Sequence, residues 1–309
     1  MESRGLPLLA GVELGGTKCI CTLGTGPRDI RAQVEVPTQA PEPTLAAIAK
    51  VLDGWRAAGE DFAALGLAAF GPLELRRDSP RFGWLATTVK SGWSDTELLG
   101  RFARRYRIAT GIDTDVNAAA LAEARWGGAL GMMDFVYVTV GTGIGAGVIV
   151  RGRPALGANH AELGHIRVVR GAGDDFPGTC PFHGDCVEGL AAGPAIRARA
   201  QREPADLAPD DPIWRHVAHC LAQLCQALVL TTGPRRIFFG GGVMLHQPQL
   251  FGMIRESLQR SLNGYIGTRE LGADLDGFIV PSALGAAVGP LGALAVAADE
   301  WKSGTRPSG

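Results

Sequence analysis

One short segment, residues 159–189, restricts the fold of this chain more than any other part of its sequence. Within it, His165, Cys180, His183 and Cys186 supply two imidazoles and two thiols, and the last three are spaced Cys-x2-His-x2-Cys. Two thiolates and two imidazoles form a tetrahedral ligand set that suits zinc. The whole chain has only 6 cysteines and 6 histidines, so their concentration here argues against an incidental loop. The segment is therefore predicted to fold around a Zn2+ ion.

A zinc ion with four protein ligands has no open position for a substrate, so the predicted site braces a loop and takes no part in chemistry. His160 is an alternative to His165 as the fourth ligand. Glu162 and Glu188 flank the ligands and would stand on a rigid scaffold, where a binding site places its polar groups. Both are predicted to contact the substrate, and solvated loop carboxylates are the alternative.

The length and the net charge of the chain limit the classes of partner that it is expected to bind. At 309 residues, with 46% hydrophobic and 20% charged residues, the chain is predicted to form two globular lobes. Its formal net charge is -1, and acidic and basic residues are mixed along it. No electrostatic feature favours nucleic acid or an acidic membrane, so a small-molecule partner is expected.

Residues 1–10 lack the apolar run and the cleavage site of a signal peptide, so a cytoplasmic location is expected. Residues 278–298 are uncharged and long enough to cross a bilayer, but prolines and glycines interrupt them. A buried strand, a turn and an Ala-rich helix are the favoured interpretation. In a reducing cytosol the thiols of Cys180 and Cys186 can bind metal instead of forming a disulfide. The other cysteines lie in apolar surroundings and are predicted to be core residues: Cys19, Cys21, Cys220 and Cys225.

A first glycine-rich stretch lies between two apolar runs, residues 8–14 and 19–23, that predict a β-hairpin. Its tip consists of Gly15, Gly16, Thr17 and Lys18. Glycines leave backbone N–H groups free to face an anion, and Thr17 and Lys18 add a hydroxyl and a charge, so the tip could hold a phosphate. An ordinary tight turn is the alternative. The order Gly-Lys-Ser/Thr is absent and a strand follows, so this is not a P-loop.

A second glycine-rich stretch, which begins Gly141-Thr142-Gly143, lies between predicted strands at 135–140 and 148–150. Ala146 breaks the Gly-x-Gly-x-x-Gly spacing and a strand follows, so a dinucleotide site is excluded. The stretch is predicted to be another phosphate-binding hairpin. Two such hairpins, each opening a run of strands, suggest an internal duplication.

The remaining apolar runs predict alternating strands and helices. Further strands are predicted at residues 31–36, 64–69, 108–112, 236–239 and 278–280. Helices are predicted at 44–56, 118–126, 193–202, 212–232, 250–262 and 286–298. The glycine run 240–242 follows one of the strands and would let a flat ligand approach the backbone closely.

Two other stretches carry polar groups. Residues 113–117 join a predicted strand to a predicted helix, and Asp113 is expected to be the N-cap of that helix. Asp115 is the residue to which chemistry is assigned. The segment 84–93, with Thr87, Thr88 and Lys90, could line a cleft, and a surface loop is the alternative.

These stretches together resemble the ROK family of sugar kinases and, within it, the bacterial fructokinases. The matching motifs are Gly11-Val-Glu-Leu-Gly-Gly-Thr-Lys18, Thr114-Asp-Val-Asn-Ala-Ala-Ala120, Gly141-Thr-Gly-Ile-Gly-Ala-Gly147, Glu162-Leu-Gly-His165, Cys180-Pro-Phe-His-Gly-Asp-Cys-Val-Glu-Gly189 and Gly240-Gly-Gly-Val243. The resemblance implies an α/β, actin-like ATPase (ribonuclease H-like) fold, with two lobes that each have a mixed β-sheet flanked by helices. It implies a small lobe of residues 1–117, on which a helix at about 286–301 packs back, and a large lobe of residues 118–285 with the zinc loop.

The same resemblance implies an ATP-dependent fructokinase that forms fructose 6-phosphate, with Asp115 as the general base. The implied sugar contacts are Glu162, His165 and Glu188, with Thr114 and Asn117. The implied phosphate contacts are Gly15, Gly16, Thr17, Lys18, Gly141, Thr142 and Gly143, and Gly241 and Gly242 would lie under the adenosine. ATP with Mg2+, a structural Zn2+ and a homodimer are also implied.

Two departures from the family pattern stand out. Many members have Asp where this chain has Glu13, and Asn where it has Thr114. The first bears on magnesium, and the second removes a sugar-contacting amide and points to the fructokinase branch. A glucokinase or mannokinase, or a non-catalytic sugar-binding regulator, are the alternatives. A repressor is not expected, because those relatives add an N-terminal helix-turn-helix and the first hairpin tip here begins at Gly15.

Overall fold

The computed structural model of the chain describes residues 7–266 and 275–304. They form two compact units. Of the described residues, the first unit contains 7–130, 156–160 and 287–304, and the second contains 131–155, 161–266 and 275–286. Over the ranges described, none of the helices combines the length and the apolar character that crossing a membrane requires.

In each unit a run of three strands comes first, and helices separate the strands that follow it. The strands are β1 (Leu9–Leu14), β2 (Lys18–Gly26), β3 (Asp29–Pro37), β4 (Ala64–Ala69), β5 (Ala109–Thr114), β6 (Phe135–Val140), β7 (Ile144–Val150), β8 (Arg153–Pro154), β9 (Ile237–Gly240) and β10 (Ile279–Pro281). The α-helices are α1 (Pro41–Ala57), α2 (Leu99–Tyr106), α3 (Asp115–Trp126), α4 (Val187–Ala191), α5 (Gly193–Ala200), α6 (Ile213–Thr232), α7 (Gly242–His246), α8 (Gln249–Leu262) and α9 (Val288–Ser303). Short 3-10 turns occupy Leu163–His165, Pro204–Asp206 and Gly285–Ala287.

The first unit is built on a mixed sheet with the strand order β3-β2-β1-β4-β5. Strand β1 runs antiparallel to β2 and parallel to β4, and β5 runs parallel to β4. Every residue of β4 is buried, which explains why its sequence is a continuous apolar run. Helices α1 and α2 cover one face of the sheet, where Leu45, Leu52 and Phe102 join its core.

A row of glycines crosses three neighbouring strands of this sheet. Gly11 on β1 is paired with Gly66 on β4, which is paired with Gly111 on β5. A Cβ atom on Gly66 would lie 2.0 Å from the carbonyl oxygen of Ala293 on α9, and one on Gly11 would lie 2.9 Å from the Cβ of Ala293. Helix α9 therefore packs on the sheet at backbone distance, which the small residues on both sides permit.

Gly66→Ala is expected to destabilise the first unit, because the added methyl group must displace α9 or distort β4. Overpacking of this kind costs roughly 1–3 kcal/mol. Gly54→Ala is the matched control, since a Cβ on Gly54 in α1 meets nothing within 4 Å and alanine favours a helix over glycine by roughly 1 kcal/mol. Urea unfolding measures both variants. A Gly66→Ala protein as stable as wild type would contradict the close packing.

The second unit repeats the strand order of the first. Its mixed sheet runs β8-β7-β6-β9-β10, with β6 antiparallel to β7 and parallel to β9, and with β10 parallel to β9. Each sheet thus consists of an antiparallel hairpin, a further antiparallel strand and then two parallel strands. The two sheets thus share one topology, which is consistent with the internal duplication suggested by the two glycine hairpins. Helices α6 and α8 pack on each other and close the core around Trp214.

The sequence-based boundaries differ from the structure in several places. The first unit continues to Leu130 instead of ending at residue 117, because α3 packs against α9 within that unit. Helix α2 has no predicted counterpart, since its buried side consists of only Leu99, Phe102 and Tyr106. Residues 278–298 form β10, a turn and most of α9, which confirms the prediction for this stretch. The four cysteines predicted to be core residues are buried as well.

Candidate functional site

The four predicted metal ligands lie together in the second unit. The ligating atoms of His165, Cys180, His183 and Cys186 fall within 4.8 Å of one another. Cys180 Sγ is 3.7 Å from Nδ1 of His165 and from Nδ1 of His183, and Cys186 Sγ is 3.6 Å from Nδ1 of His165. With Zn–S near 2.3 Å and Zn–N near 2.05 Å, a tetrahedron has an S···N edge of about 3.6 Å. The cluster therefore fits a tetrahedral ion of the size of zinc.

A tight turn brings these ligands together. Cys180 and Gly184 exchange backbone hydrogen bonds of 3.2 and 2.9 Å, and Gly184 adopts a φ of 63°, which glycine takes without strain. Gly189 packs on the turn so closely that a Cβ there would lie 1.9 Å from the Gly184 carbonyl oxygen. Cys186 is the N-cap of α4, and its Sγ accepts a hydrogen bond from the Gly189 N–H at 3.5 Å. The Cys-x2-His-x2-Cys spacing thus corresponds to one turn followed by one helix start.

The thiols of the cluster suit a cation. Burial raises the pKa of the Cys186 thiol to about 11; the Gly189 N–H opposes this shift and the neighbouring Cys180 adds to it. A coordinated thiol loses its proton because the metal ion supplies the compensating charge. The donor set therefore fits a bound metal ion.

The two predicted sugar-contact carboxylates stand beside this cluster. His165 turns Nδ1 toward the sulfurs, which leaves its Nε2 4.0 Å from Oε1 of Glu188. Oε2 of Glu188 accepts a hydrogen bond of 3.0 Å from the backbone N–H of Ile144. Burial raises the pKa of Glu162, with His165 opposing the shift and Glu188 adding to it. The cluster, both carboxylates and the start of β7 are therefore connected.

Two glycines make room for this arrangement. A Cβ on Gly164 would lie 1.8 Å from the Ile144 carbonyl oxygen, so the 3-10 turn that carries His165 packs directly on β7. A Cβ on Gly143 would lie 2.7 Å from Oε2 of Glu188. The second glycine hairpin thus lets Glu188 approach its backbone, in addition to its predicted role with phosphate.

The glycine-rich turns of the second unit also border a cavity of about 430 Å³. Gly141, Thr142 and Gly242 line it. Gly241, beside them, has a φ of 87°, and a Cβ there would lie 2.4 Å from the Val140 carbonyl oxygen. The cavity falls within the size range of small-molecule and cofactor sites.

Most of the other walls of this cavity were not indicated by the sequence. They are formed by Gly193, Pro194, Arg197, Glu203, Pro204, Ala205, Val243, His246 and Gln247. Arg197 and Glu203 form an ion pair of 2.5 Å, and the Gln247 side chain donates to the Pro204 carbonyl at 2.9 Å. These residues belong to α5, a 3-10 turn and α7, which only tertiary packing brings together. The glycine run before α7 was the one available signal.

In the first unit, Asp115 is the first residue of α3. Its Oδ1 accepts a hydrogen bond of 2.9 Å from the N–H of Val116. Thr114 is the N-cap, and its hydroxyl accepts from the Asn117 N–H at 3.2 Å. The Asn117 amide donates to Oδ1 of Asp113 at 2.7 Å. Thr114 and Asn117 are only 3% and 5% exposed, so the contacts they make here fix the start of α3.

The prediction that Asp113 caps α3 is wrong. Asp113 still lies in β5, and its extended position leaves Thr114 as the residue that precedes the first turn of α3. Desolvation raises the pKa of Asp113 to about 6, and hydrogen bonds from Asn117 and from the Thr114 N–H oppose the shift. The Asp113 carboxylate therefore holds the Asn117 amide in place. Direct contact of Thr114 and Asn117 with a sugar stays a prediction.

His160 is not a member of the metal cluster. It lies in the first unit, is 7% exposed, and its Nε2 accepts a hydrogen bond of 3.0 Å from the Leu73 N–H. The alternative that made His160 the fourth ligand is wrong, because the chain between His160 and Glu162 passes from one unit to the other.

Glu13 on β1 interacts with Asp115 within the first unit. Burial raises the pKa of Glu13 to about 7; repulsion by Asp115 adds to the shift and Lys18 opposes it. A Cβ on Gly289 in α9 would lie 2.2 Å from Oε1 of Glu13, so this glycine makes room for the longer side chain. Two carboxylates that repel each other fit a divalent cation that prefers oxygen ligands.

The tip of the first glycine hairpin is exposed, and two of its carbonyl groups are bound by Thr38 of the same unit. The Gly15 carbonyl accepts from the Thr38 hydroxyl at 2.8 Å, and the Thr17 carbonyl accepts from the Thr38 N–H at 3.0 Å. Lys18 pairs with Glu35 at 2.6 Å, and both side chains are exposed. The predicted phosphate contacts 15–18 thus lie at one tip of the first unit.

Known proteins resemble this chain over most of its length. The sequence model of the ROK family matches residues 9–300. The chain is 40% identical over 290 residues to a fructokinase of Pediococcus pentosaceus, with 94% of this chain and 97% of that protein covered. It is 40% identical over 296 residues to a fructokinase of Zymomonas mobilis, with 93% and 95% covered.

A solved structure is similar as well. It is that of a ROK family glucokinase from Streptomyces griseus in complex with glucose and AMPPNP, with a TM-score of 0.74 and 27% identity, and it covers 94% of this chain and 99% of that one. This likeness, together with two mixed sheets flanked by helices, confirms the predicted actin-like ATPase fold.

Proposed function

This chain belongs to the ROK family, and we propose that it is an ATP-dependent fructokinase, which transfers the γ-phosphoryl group of ATP to the 6-hydroxyl of fructose. The identity of 40% to two fructokinases over nearly the whole chain supports the choice of sugar. The observation that carries the proposal is the position of Glu188, which lies 4.0 Å from the metal-cluster residue His165 and 3.0 Å from the backbone of the second glycine hairpin. One side chain thus connects the candidate sugar contacts with the candidate phosphate contacts.

We propose that the second unit binds the hexose through Glu162, Glu188 and His165. Each carboxylate can accept hydrogen bonds from sugar hydroxyls, and the second nitrogen of His165 is directed to the same group of residues. The metal ion, which we propose to be zinc, would fix the ring of His165 through Nδ1 and hold the loop that lies between the two carboxylates in the chain. Its part would be structural, since His165, Cys180, His183 and Cys186 would fill all four coordination positions.

Asp115 is proposed as the general base. Its carboxylate would accept the proton of the 6-hydroxyl as that oxygen attacks the γ-phosphorus, and the bond to the leaving ADP oxygen then breaks. The hydrogen bond from the Val116 N–H to Oδ1 orients the carboxylate, and the capping by Thr114 fixes the turn that carries it. Asn117 and Asp113 are proposed to support that turn.

ATP is the proposed phosphoryl donor, bound by the two glycine hairpins. Residues 15–18 and 141–143 would contact its phosphates, and the cavity of about 430 Å³ bordered by Gly242 would hold the adenosine. Mg2+ would accompany the phosphates and neutralise their charge. Glu13 on β1, which lies close enough to Asp115 to be repelled by it, is the carboxylate proposed to help hold that ion. A homodimer and a cytoplasmic location remain predictions from the sequence.

A coupled assay of ADP release tests the proposal. With ATP and Mg2+, we expect turnover with fructose, and a value of kcat/KM for fructose above those for glucose and mannose. Phosphorus NMR of the product should place the new phosphate on C6. If the protein bound fructose but released no ADP, the proposed kinase activity would be contradicted and a sugar-binding protein would be favoured. A preference for glucose would favour the alternative that the similarity to the Streptomyces griseus glucokinase supports.

A further inference from the structure

Lys90 reaches the tip of the first glycine hairpin, a contact that no sequence motif indicated. Its Nζ donates a hydrogen bond of 2.5 Å to the carbonyl oxygen of Gly16. The segment that carries it is held in place by Trp93, which is fully buried and donates through Nε1 to the Gln39 carbonyl at 2.8 Å. The Trp93 N–H in turn donates to the Lys90 carbonyl at 3.1 Å. Lys90 therefore projects from an anchored turn.

The surroundings of Lys90 differ from those of Lys18, the lysine in the hairpin motif itself. Lys18 is neutralised by Glu35 at 2.6 Å. Within residues 7–266 and 275–304, no carboxylate lies within ion-pair distance of Lys90, and its contact is with a backbone oxygen. The uncompensated positive charge at the tip is therefore that of Lys90.

The contact of Lys90 also orients a peptide group. In a trans peptide the C=O and N–H bonds point in opposite directions, so holding the Gly16 oxygen turns the Thr17 N–H to the other side. The neighbouring carbonyls of Gly15 and Thr17 are bound to Thr38. Among the described residues, the backbone N–H groups of Gly16 and Thr17 have no acceptor. Three consecutive carbonyls thus face the protein, which leaves two amides to face an anion.

The space beside the Gly16 Cα atom is open, so packing there does not fix the peptide between Gly16 and Thr17. A Cβ on Gly16 would meet nothing within 4 Å, so the residue is not wedged in place. Glycine also populates both signs of φ with little cost, so the peptide between Gly16 and Thr17 can rotate unless its oxygen is bound. The ammonium group of Lys90 is the group that binds it.

We propose that Lys90 is a positioning residue for nucleotide phosphate, which fixes the Gly16–Thr17 peptide so that its N–H donates to a phosphate oxygen. Lys90 makes this contact with one of its three N–H bonds, and its charge adds attraction for the phosphate group. The inference rests on the proposed kinase function, because it names a further residue of the same phosphate site. The proposal assigns Lys90 to the phosphate site and gives it no contact with the sugar.

Lys90→Met tests the proposal, because methionine keeps an unbranched side chain of similar length and removes the charge and the donors. We expect the dissociation constant of Mg-AMPPNP, measured by calorimetry, to rise about tenfold, which corresponds to about 1.4 kcal/mol. The KM for fructose should stay within a factor of about two. Lys90→Arg, which keeps a cationic donor, should recover most of the nucleotide affinity. Lys50→Met, at an exposed lysine of α1 in the same unit, is the matched control.

Three results would overturn the proposal: nucleotide affinity of Lys90→Met within twofold of wild type, an equal loss in Lys50→Met, or a change confined to the KM for fructose. Circular dichroism of each variant shows whether it is folded. Calorimetry also separates this inference from the proposed function. A wild-type protein that binds Mg-AMPPNP but phosphorylates no sugar would refute the fructokinase, while the comparison of Lys90→Met with Lys50→Met would still decide the role of Lys90.

Discussion

Replacing Asp115 by asparagine is expected to lower kcat with fructose by a factor of roughly 10²–10⁴, the usual contribution of a general base. Asparagine has the shape of aspartate, and its Oδ1 can still accept the hydrogen bond from the Val116 N–H. The start of α3 should therefore be preserved. Fructose binding, followed by calorimetry, should change little, because the lost group acts on the proton and not on the affinity.

Asp61→Asn provides the control for this experiment, since Asp61 is exposed and has no part in the proposed site. It should keep wild-type kinetics. If Asp115→Asn retained more than about a tenth of wild-type kcat, the base would have to be another residue. If it lost fructose binding as well, Asp115 would be a sugar ligand instead.

Removal of the metal, either by the substitution Cys180→Ala or by a chelator, should weaken sugar binding. Without the ion, Nδ1 of His165 loses its partner, and the ring that lies 4.0 Å from Glu188 is no longer fixed. Loss of an orienting interaction of this kind typically costs 10–100-fold, so the KM for fructose should rise by roughly that factor. Elemental analysis should find zinc in wild type, about one ion per chain, and none in the variant.

Cys225→Ala is the matched control, because Cys225 is a fully buried thiol in the same unit and lies outside the cluster. This variant should keep its zinc and its KM for fructose, even if it unfolds at a slightly lower temperature. A Cys180→Ala protein that lost the metal and kept the wild-type KM would show that the sugar contacts do not depend on the ion.

The metal cluster could be predicted from the sequence because the interactions that form it are local. Cys180, His183 and Cys186 are brought together by one turn and one helix start, and glycines at the required positions are visible in the sequence. The glycine hairpins are similarly short-range features. In each case the residues that determine the geometry are neighbours along the chain, so their spacing contains most of the information.

The predictions that were wrong or missing concern contacts between segments that are distant in the sequence. His160 looked like a ligand because it is close to His165 in sequence, but the Leu73 backbone binds it in the other unit. Asp113 looked like a cap, but β5 continues through Thr114, and Thr114 is the N-cap. The lining of the cavity beside Gly141 and Gly242 by Arg197 and His246 depends on how α5 and α7 pack. No pattern within a single segment could indicate these contacts.

The packing of α9 on the glycine row has a consequence for the order in which the nascent chain can fold. While the ribosome is still translating residues 288–303, the sheet face with Gly11, Gly66 and Gly111 has no helix to cover it. All described strands and helices of the second unit precede α9 in the chain. The unit that is begun first is therefore the one completed last, because this face of its sheet stays uncovered until α9 has been synthesised.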